Sequence, residues 1–474
     1  MSALAAVAAW LQPALVVALA FRITAGAPDA PWLALGALIA PLVAVLADGG
    51  PAARNVVTAA ASAVSVTLLL AANLLVAADG ALLLGMPRWL GAALGAALAL
   101  AAGAWPSARR VAVPALVVAV TALLLGPFAV APAGGGAPWN AWHRSGARPA
   151  LTFPERSPWV QSGKWFARAT TLRFTEGQRV VTVAAGIYRV VEHDAAPPTV
   201  REWRLAAGDT LTLRPGDELS VEAGARLRFE AGRRVPGAPA SGAEWADAPT
   251  RGPHLLPMAV GALLTVLGGA LALVPAARRG PTAVFGPLVL LAATLAAIGW
   301  GVYAASAPDV VLGGALPAPL LLTPTAMLGA SGVPLALLTA ATLLLLLAVT
   351  AVALRERLGA SASMAPQLWL AAVVVAAAVA LWPLDAWRVL TLALGVAAAV
   401  WAPARLATGS SGALAGPIVG GMVFLAVAAL PTLAPAAPAW LEALARYPAL
   451  VAAPLGWAAA RALPPDGDRE APTR

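Results

Sequence analysis

The sequence predicts a polytopic α-helical membrane protein with about 12 transmembrane helices and one inserted extracytoplasmic all-β domain of the sandwich or jelly-roll type. Hydrophobic residues make up 60% of the 474 residues and charged residues only 11%, against about 25% in typical globular proteins. Apolar runs long enough to cross about 30 Å of hydrocarbon recur along the chain. The segment 132–254 differs, because it holds 16 of the 31 Lys and Arg residues and 12 of the 22 Asp and Glu residues.

An N-terminal membrane domain of about five helices is predicted over residues 1–131. Its apolar runs are 3–21, 30–47, 55–78, 88–105 and 111–131. A C-terminal membrane domain of about seven helices is predicted over 255–463, with runs at 255–277, 282–305, 333–354, 365–384, 386–404, 413–433 and 447–463. Residues 464–474 are expected to form a disordered cytoplasmic tail. The apolar stretch from Val310 to Leu322 contains Pro317 and Pro319, so it is either re-entrant or a partial crossing.

Arginine positions predict the orientation, because an excess of Lys and Arg marks cytoplasmic loops. One alternating set of loops and tails holds eleven arginines, and the opposite set holds four: Arg22, Arg88, Arg388 and Arg446. Both termini are therefore expected inside and segment 132–254 outside. This arrangement predicts a multi-pass protein of the bacterial inner membrane whose β-domain is periplasmic. The N-terminus lacks the basic region of a signal peptide, so the first helix is expected to stay uncleaved.

Composition also excludes several classes of site. The chain has no cysteine, which removes disulfides, thiolate metal sites and iron–sulfur clusters. The three histidines lie outside the predicted spans: His143, His193 and His254. The acidic residues near the spans are expected at loop edges: Asp48, Asp79, Asp309 and Asp385. Intramembrane haem, haem–copper and metal hydrolase sites are therefore excluded, and neither a cofactor nor a metal is expected.

The expected partners are the lipid bilayer and other membrane or periplasmic proteins. No nucleic-acid partner is expected, because the arginines are scattered and form no basic block. Within the spans, Asn55 and Asn73 are the notable buried amides, and helix-to-helix hydrogen bonds explain them. Gly412, Gly416 and Gly420 recur every four residues, as do Gly91 and Gly95. This spacing predicts close helix packing within the chain, or a partner interface as the alternative.

The insertion begins with an irregular, proline-broken stretch from Pro138 to Arg168 that is rich in Trp and Arg. Near the outer leaflet, such residues can hold a lipid phosphate or headgroup by charge and stacking. The candidate ligand-binding residues are Trp142, His143, Arg144, Arg148, Arg156 and Lys164. The alternative is an interfacial anchor that only attaches the domain to the membrane.

Short strands are predicted at Thr170 to Phe174, Arg179 to Val183, Ile187 to Glu192 and Val200 to Leu205. Residues 206–237 then divide into four octads, each with glycine at its third position. The repeats are AAGDTLTL, RPGDELSV, EAGARLRF and EAGRRVPG. Apolar residues at the sixth and eighth positions face one side of a strand, so each octad is expected to supply one strand and one glycine turn.

The stretch RPGDELSVEAGARLRFEAG resembles the second motif of cupins. Gly216 and Gly224 occupy the two glycine positions, but Leu227 stands where the family has a histidine metal ligand. This resemblance covers about twenty residues and implies the jelly-roll shape without the metal site.

No catalytic residue is predicted. His193 lies between Glu192 and Asp194, yet neighbours on a strand point to opposite faces, so an exposed turn histidine is the expected interpretation. The leading functional hypothesis is a non-enzymatic subunit or scaffold of an envelope complex whose β-domain binds proteins. The alternatives are a transferase or flippase acting on lipid-linked envelope glycans, and a small-molecule transporter.

Overall fold

The computed structural model of the chain describes residues 10–46, 56–105, 108–166, 169–193, 199–247, 255–273, 282–313, 315–361, 365–407, 410–433 and 439–462. Several positions discussed above lie outside the described residues: 3–9 of the first predicted span, Asp48, Asn55, His254 and the tail 464–474.

In the described part of the chain, five helices precede the insertion. They are α1 Pro13–Thr24, α2 Ala30–Leu46, α3 Val56–Leu83, α4 Arg88–Ala104 and α5 Ala108–Val130. Helix α1 begins where Pro13 occupies the first helical position, at which the missing N–H of proline breaks no bond. The insertion contains three short helices, which are α6 Pro138–His143, α7 Pro158–Gln161 and α8 Gly242–Asp247.

The chain after the insertion is helical. Its helices are α9 Leu255–Leu273, α10 Thr282–Ala304, α11 Pro308–Gly313, α12 Ala318–Leu321, α13 Thr323–Leu328, α14 Val333–Ser361, α15 Ala365–Leu381, α16 Ala386–Val396, α17 Ala402–Leu406, α18 Ser410–Leu433, α19 Ala439–Arg446 and α20 Ala449–Ala462. A π-helical turn, Ala397–Trp401, joins α16 to α17.

Six helical segments of the described chain are long and apolar enough to cross a membrane. They are Ala59–Leu83, Arg110–Val130, Leu255–Leu273, Ala318–Leu358, Ala386–Ala404 and Ser411–Leu430. Shorter apolar helices of 10–17 residues occupy other predicted runs: Pro13–Thr24, Ala30–Ala40, Arg88–Ala104, Leu288–Ala304, Pro366–Leu381 and Ala449–Ala462. The architecture is that of a membrane protein with a β region, and helix length does not establish the number of 12 crossings.

One expectation about the spans needs correction. Helix α3 continues to Leu83, so Asp79 lies inside it and is fully buried, 3.3 Å from Arg88, rather than at a loop edge. The run of apolar residues ended at 78 because Asp79 lowered the local hydropathy, whereas the ion pair makes the acid compatible with burial. The stretch Val310 to Leu322 contains the end of α11 and the whole of α12, helices of six and four residues.

The insertion folds as a β-sandwich of two four-stranded antiparallel sheets. The strands are β1 Lys164–Trp165, β2 Thr170–Arg173, β3 Gln178–Thr182, β4 Gly186–Glu192, β5 Thr199–Leu205, β6 Thr210–Leu213, β7 Glu218–Val221 and β8 Arg226–Phe229. One sheet has the order β1-β8-β3-β6 and the other β2-β7-β4-β5. This alternation of strands between two sheets is the strand order of an eight-stranded jelly roll.

The first three octads form β6, β7 and β8, and their apolar residues point into the sandwich. Leu213, Leu219 and Leu227 are each at most 1% exposed. The turn glycines have positive φ angles, including 95° at Gly216 and 87° at Gly224, a conformation that disfavours other residues. The fourth octad is a correction, because it forms no strand and makes only one bridge, from Arg234 to Thr152. Pro236 and Gly237 replace the residues that would extend a strand there.

The β-domain core extends into the membrane domain. Phe153, Trp159, Tyr188 and Phe229 belong to a buried cluster inside the sandwich, and Leu312 of α11 is a member of the same cluster. A second, larger cluster unites the long helices and includes Trp245 of α8. Each part of the chain therefore contributes an apolar side chain to the buried core of the other, which fixes the sandwich against the helices.

Candidate functional site

The region where the insertion meets the helices combines cavities, cations and tryptophans. It is built by α6, the 3₁₀ turn Ser145–Ala147, helix α8 and the end of α10. The turn and α8 are in close contact, because a Cβ on Gly242 would overlap the carbonyl oxygen of Ser145. Only glycine allows this approach, so α8 is held against the start of the insertion.

Trp245 on α8 links the insertion to the first helix. Its indole nitrogen donates to the carbonyl oxygens of Ile23 and Thr24, each at 3.1 Å. These carbonyls lie in the last turn of α1, where no further helical turn supplies an N–H, and the Ile23 carbonyl also accepts from the Gly26 N–H at 3.0 Å. The Trp245 ring also meets Trp142 edge-on, with 5.6 Å between centroids. A buried tryptophan therefore satisfies a helix end and positions a second, exposed one.

Arg148 links the insertion to α10. Its Nη1 donates to Ser306 Oγ at 2.5 Å and to the Val302 carbonyl at 3.3 Å, while Nη2 donates to the Ala141 carbonyl at 3.0 Å. Burial lowers the pKa of Arg148, Tyr303 raises it and the neighbouring Arg144 lowers it. Among the described residues, no carboxylate forms an ion pair with Arg148, so this half-buried cation is stabilised only by neutral acceptors.

Two cavities lie on the sides of Trp245. One, called the polar cavity, has a volume of about 290 Å³, and its lining combines apolar residues such as Leu151 and Ala305 with the polar side chains of Ser145, Arg148, Ser241 and Ser306. The other has a volume of about 400 Å³ and is almost wholly apolar. Its lining includes Ile23, Ala27, Ala34, Trp142 and Ile298. Trp245 borders both cavities, so a charged and an apolar compartment adjoin one indole.

Lys164 occupies a different contact from the one expected. Its ammonium group lies 2.8 Å from Asp309 Oδ1 and 5.8 Å above the Trp159 ring. The Trp159 indole donates to the same carboxylate oxygen at 2.5 Å. Asp309 therefore neutralises Lys164 and holds the sandwich on α11.

The structure thus divides the six candidate ligand-binding residues. Trp142 lines the apolar cavity and Arg148 lines the polar one, whereas Arg144 and His143 line neither and are exposed beside them. Arg144 donates to the carbonyl oxygens of Gly135 and Asn140. Arg156 is exposed in a turn, and Lys164 is engaged by Asp309. His193 is also exposed.

Sequence reasoning missed a buried polar cluster between the first and last helices. Arg22 donates to Asp29 Oδ1 from Nη2 at 2.6 Å and from Nε at 2.9 Å. The Tyr447 hydroxyl donates to Asp29 Oδ2, and the Arg22 guanidinium lies 5.6 Å from the Trp387 ring centroid. Asp29 is fully buried. Its place beside a helix start gave no sequence signal that distinguished it from an exposed loop acid.

A second buried polar group lies deeper in the helices. Asn73 of α3 accepts a hydrogen bond from the Ala14 backbone at 3.0 Å and donates to Gln12 Oε1 at 2.7 Å. The sequence identified Asn73 but not Gln12, whose amide nitrogen has no partner among the described atoms. These bonds satisfy the start of α1, where Pro13 leaves the preceding residues outside the helix.

The spaced glycines pack inside the chain. A Cβ on Gly416 would lie 2.7 Å from Ala460 Cβ of α20, and one on Gly95 would lie 2.7 Å from Leu74 Cδ2 of α3. Gly412 and Gly420 face the carbonyl oxygens of Ala460 and Ala399, and Gly91 faces that of Ala77. These faces are therefore occupied by neighbouring helices of the same chain.

The chemical groups gathered at the junction suit the binding of a ligand. In the described ranges, no group of three or more His, Asp or Glu side chains is placed to hold a metal ion. The junction instead offers a cation, hydroxyl groups and an apolar compartment, which suit a ligand with one anionic and one apolar end. Comparison with known proteins finds no matching family model, no matching curated protein and no matching solved structure.

Proposed function

We propose that the chain is a non-enzymatic integral membrane subunit or scaffold of a bacterial envelope complex, in which the β-domain binds a partner protein. The proposal includes about 12 crossings, both termini in the cytoplasm and the segment 132–254 outside. The domain limits are those given by composition, with membrane domains over 1–131 and 255–463. The observation that carries the partner-binding role is the exposed strand β5.

Strand β5 is the outer strand of its sheet and is exposed over nearly its whole length. It pairs with β4 on one side only. Val200 is 59% exposed and Trp203 is 41% exposed, and Ile187 on the adjoining strand is 37% exposed. An edge strand presents free N–H and C=O groups, and exposed apolar side chains along it mark a site for strand addition. The rest of the sandwich is fixed to the helices, so β5 is presented in a constant orientation.

The charges on β5 limit which strands can pair with it. Arg201, Glu202 and Arg204 lie among the apolar residues of the strand. Arg201 is 3.5 Å from Glu192, and Glu202 is 3.5 Å from Arg189. Charged edge residues discourage indiscriminate pairing, so a partner strand needs an acidic residue opposite Arg204, which forms no ion pair in the described part of the chain. The proposed partner is therefore an extended segment that combines apolar and acidic side chains.

Site-specific photo-crosslinking in native membranes tests this role. A photoreactive amino acid at Trp203 should form an adduct with one protein, which also co-purifies with the unmodified chain. Thr212, exposed on β6 at the edge of the other sheet, is the matched control and should give no adduct. Val200→Arg should abolish the Trp203 adduct. Equal adducts at both positions, or a monomer without adducts, would contradict the proposal.

A second candidate function, action on lipid-linked envelope glycans as a transferase or flippase, is favoured by the paired cavities at Trp245. Such a substrate carries a phosphate between an apolar chain and a sugar, which matches a cationic compartment next to an apolar one. Arg144→Ala should then reduce envelope polymer output at unchanged protein level, because Arg144 is an exposed cation near Arg148 whose described contacts are hydrogen bonds to two backbone carbonyls rather than buried packing. Unchanged output would exclude this alternative.

A further inference from the structure

We propose that the two cavities beside Trp245 form one site for a membrane lipid with an anionic phosphate headgroup. The headgroup would lie against Arg148 in the polar cavity, and an acyl chain would occupy the apolar cavity along α2. This site is independent of partner binding by β5, and the second candidate function requires it.

Arg148 carries a positive charge and has N–H groups left for an anion. Its guanidinium has five N–H groups, and three of them are used by Ser306, Val302 and Ala141. The remaining two N–H groups are available to an oxyanion. None of the three acceptors is charged, and the adjacent Arg144 also bonds only to carbonyl oxygens. Arg148 is half-buried and Arg144 is exposed, and in the described ranges neither forms an ion pair with a carboxylate. An anion beside Arg148 would offset the repulsion between the two cations.

The two cavities together have the size and the chemistry of a site for an amphiphilic ligand. Their volumes of about 290 and 400 Å³ add to a space within the range of about 300–1,000 Å³ that is usual for ligand sites. Ser145, Ser241 and Ser306 supply hydroxyl groups on the polar side. Ile23, Ala34 and Ile298 line the apolar side. A purely polar or a purely apolar ligand would occupy only one of the two cavities, whereas an amphiphile fills both.

The position of the apolar cavity also favours a lipid. The apolar cavity lies between the ends of α1 and α10 and the start of α2, where Trp142 and Trp245 also lie. Tryptophan concentrates at the boundary between headgroups and hydrocarbon. A lipid at this level has its phosphate near the polar cavity and its chain directed into the hydrocarbon. Free phosphate would leave the apolar cavity unfilled, which makes the lipid the favoured source of the anion.

Native mass spectrometry of the purified full-length chain in detergent tests the site. The probes are dioleoyl phosphatidylglycerol, the zwitterionic dioleoyl phosphatidylcholine and inorganic phosphate. We expect one phosphatidylglycerol per chain, with affinity about tenfold above that for phosphatidylcholine, and no retained inorganic phosphate. Equal retention of both lipids, or retention of inorganic phosphate alone, would overturn the proposal.

Two variants localise the bound lipid. Ala34→Leu places three additional carbon atoms in the apolar cavity and should weaken phosphatidylglycerol binding about tenfold. Arg148→Gln should remove the preference for the anionic lipid. Ala426→Leu adds the same atoms to an exposed position on α18 and should leave binding unchanged.

Thermal unfolding without lipid separates binding from folding. Because Arg148 also holds α10, Arg144→Gln serves as the second charge variant, since the Arg144 side chain is exposed and makes hydrogen bonds to two backbone carbonyls but no buried packing contact. If Ala34→Leu and Arg144→Gln unfold like the unmodified chain yet bind phosphatidylglycerol as well as it does, the proposal fails. The Trp203 adduct should persist in Ala34→Leu, so loss of lipid binding is distinguishable from loss of the proposed partner.

Discussion

Lys164 and Asp309 form an ion pair across the boundary between the sandwich and the helices, with 2.8 Å between Nζ and Oδ1. The same oxygen accepts the indole N–H of Trp159 at 2.5 Å. Asp309 precedes Leu312, which lies in the sandwich core, by less than one helical turn. One short helix therefore supplies both an ionic and an apolar attachment.

Asp309→Ala should loosen this attachment, because it removes the partner of two side chains at once. Losing a hydrogen bond to a charged group costs about 1–3 kcal/mol, and the ion pair adds little because both groups are partly exposed. The expected result is a lower melting temperature in detergent and faster proteolysis within 132–254. Glu202→Ala breaks the exposed Arg189 pair and should change neither measurement. Equal behaviour of the two variants would contradict this role for Asp309.

Asp29→Asn should strongly destabilise the helical part. The substitution leaves the nearly buried Arg22 without its counter-ion, and breaking such a pair costs about 3–5 kcal/mol. Tyr447→Phe keeps the pair, so its cost should be smaller, about 1.5–3 kcal/mol. Thermal unfolding and folded yield measure both. Asp385→Asn is the control, because Asp385 caps α16 and Asn caps helices equally well. A smaller effect of Asp29→Asn than of Tyr447→Phe would refute the assignment.

Gly420→Ala should prevent close packing of α18, because its Cβ would overlap the Ala399 carbonyl oxygen in the π-helical turn. Backbone cannot move as a side-chain tip can, so the helices must separate. The neighbouring Gly421 provides the control. A Cβ there would lie 3.5 Å from Val400 Cγ2, an ordinary contact. Gly421→Ala should be neutral or stabilising by up to about 1 kcal/mol, since alanine favours helix. Similar melting temperatures for both variants would show that α18 does not depend on this contact.

Cysteine labelling of intact cells should establish the orientation, since the chain has no cysteine of its own. Thr212→Cys, exposed on β6, should react with an impermeant thiol reagent, whereas Ala462→Cys at the end of α20 should react only after lysis. Thr212 is preferred to a glycine of the insertion such as Gly242, because a side chain at Gly242 would overlap the Ser145 carbonyl oxygen. Labelling of Ala462→Cys in intact cells would reverse the proposed orientation.

The sequence predicted helix positions well because burial in lipid or protein leaves the same apolar signature. Because lipid and protein burial cannot be distinguished by composition, the number of crossings is harder to predict. An apolar run such as Val310 to Leu322 can also pack against the β-sandwich. The octads specified three strands because leucines alternate with polar residues. The fourth octad has the glycine but lacks the second apolar residue, and Pro236 prevents its pairing.

The candidate site was only partly predictable. Trp142, Arg144 and Arg148 are close in sequence, so their composition alone marked them. Trp245 and Ser306 complete the site from segments about 100 and 160 residues further along the chain, and pairing across such distances follows from tertiary packing rather than from any local pattern. Lys164 looked equivalent to the arginines, and only the position of α11 shows that Asp309 engages it.

The contact between Asp29 and Tyr447 has a consequence for biosynthesis, since 418 positions separate the two residues. At about 5–20 residues per second, the ribosome needs roughly 20–80 s to deliver the tyrosine after the aspartate. Arg22, made just before Asp29, shields the acid during that interval. The final helices then lock the first ones, so nascent chains shortened before residue 447 should remain loosely assembled and vulnerable to membrane proteases.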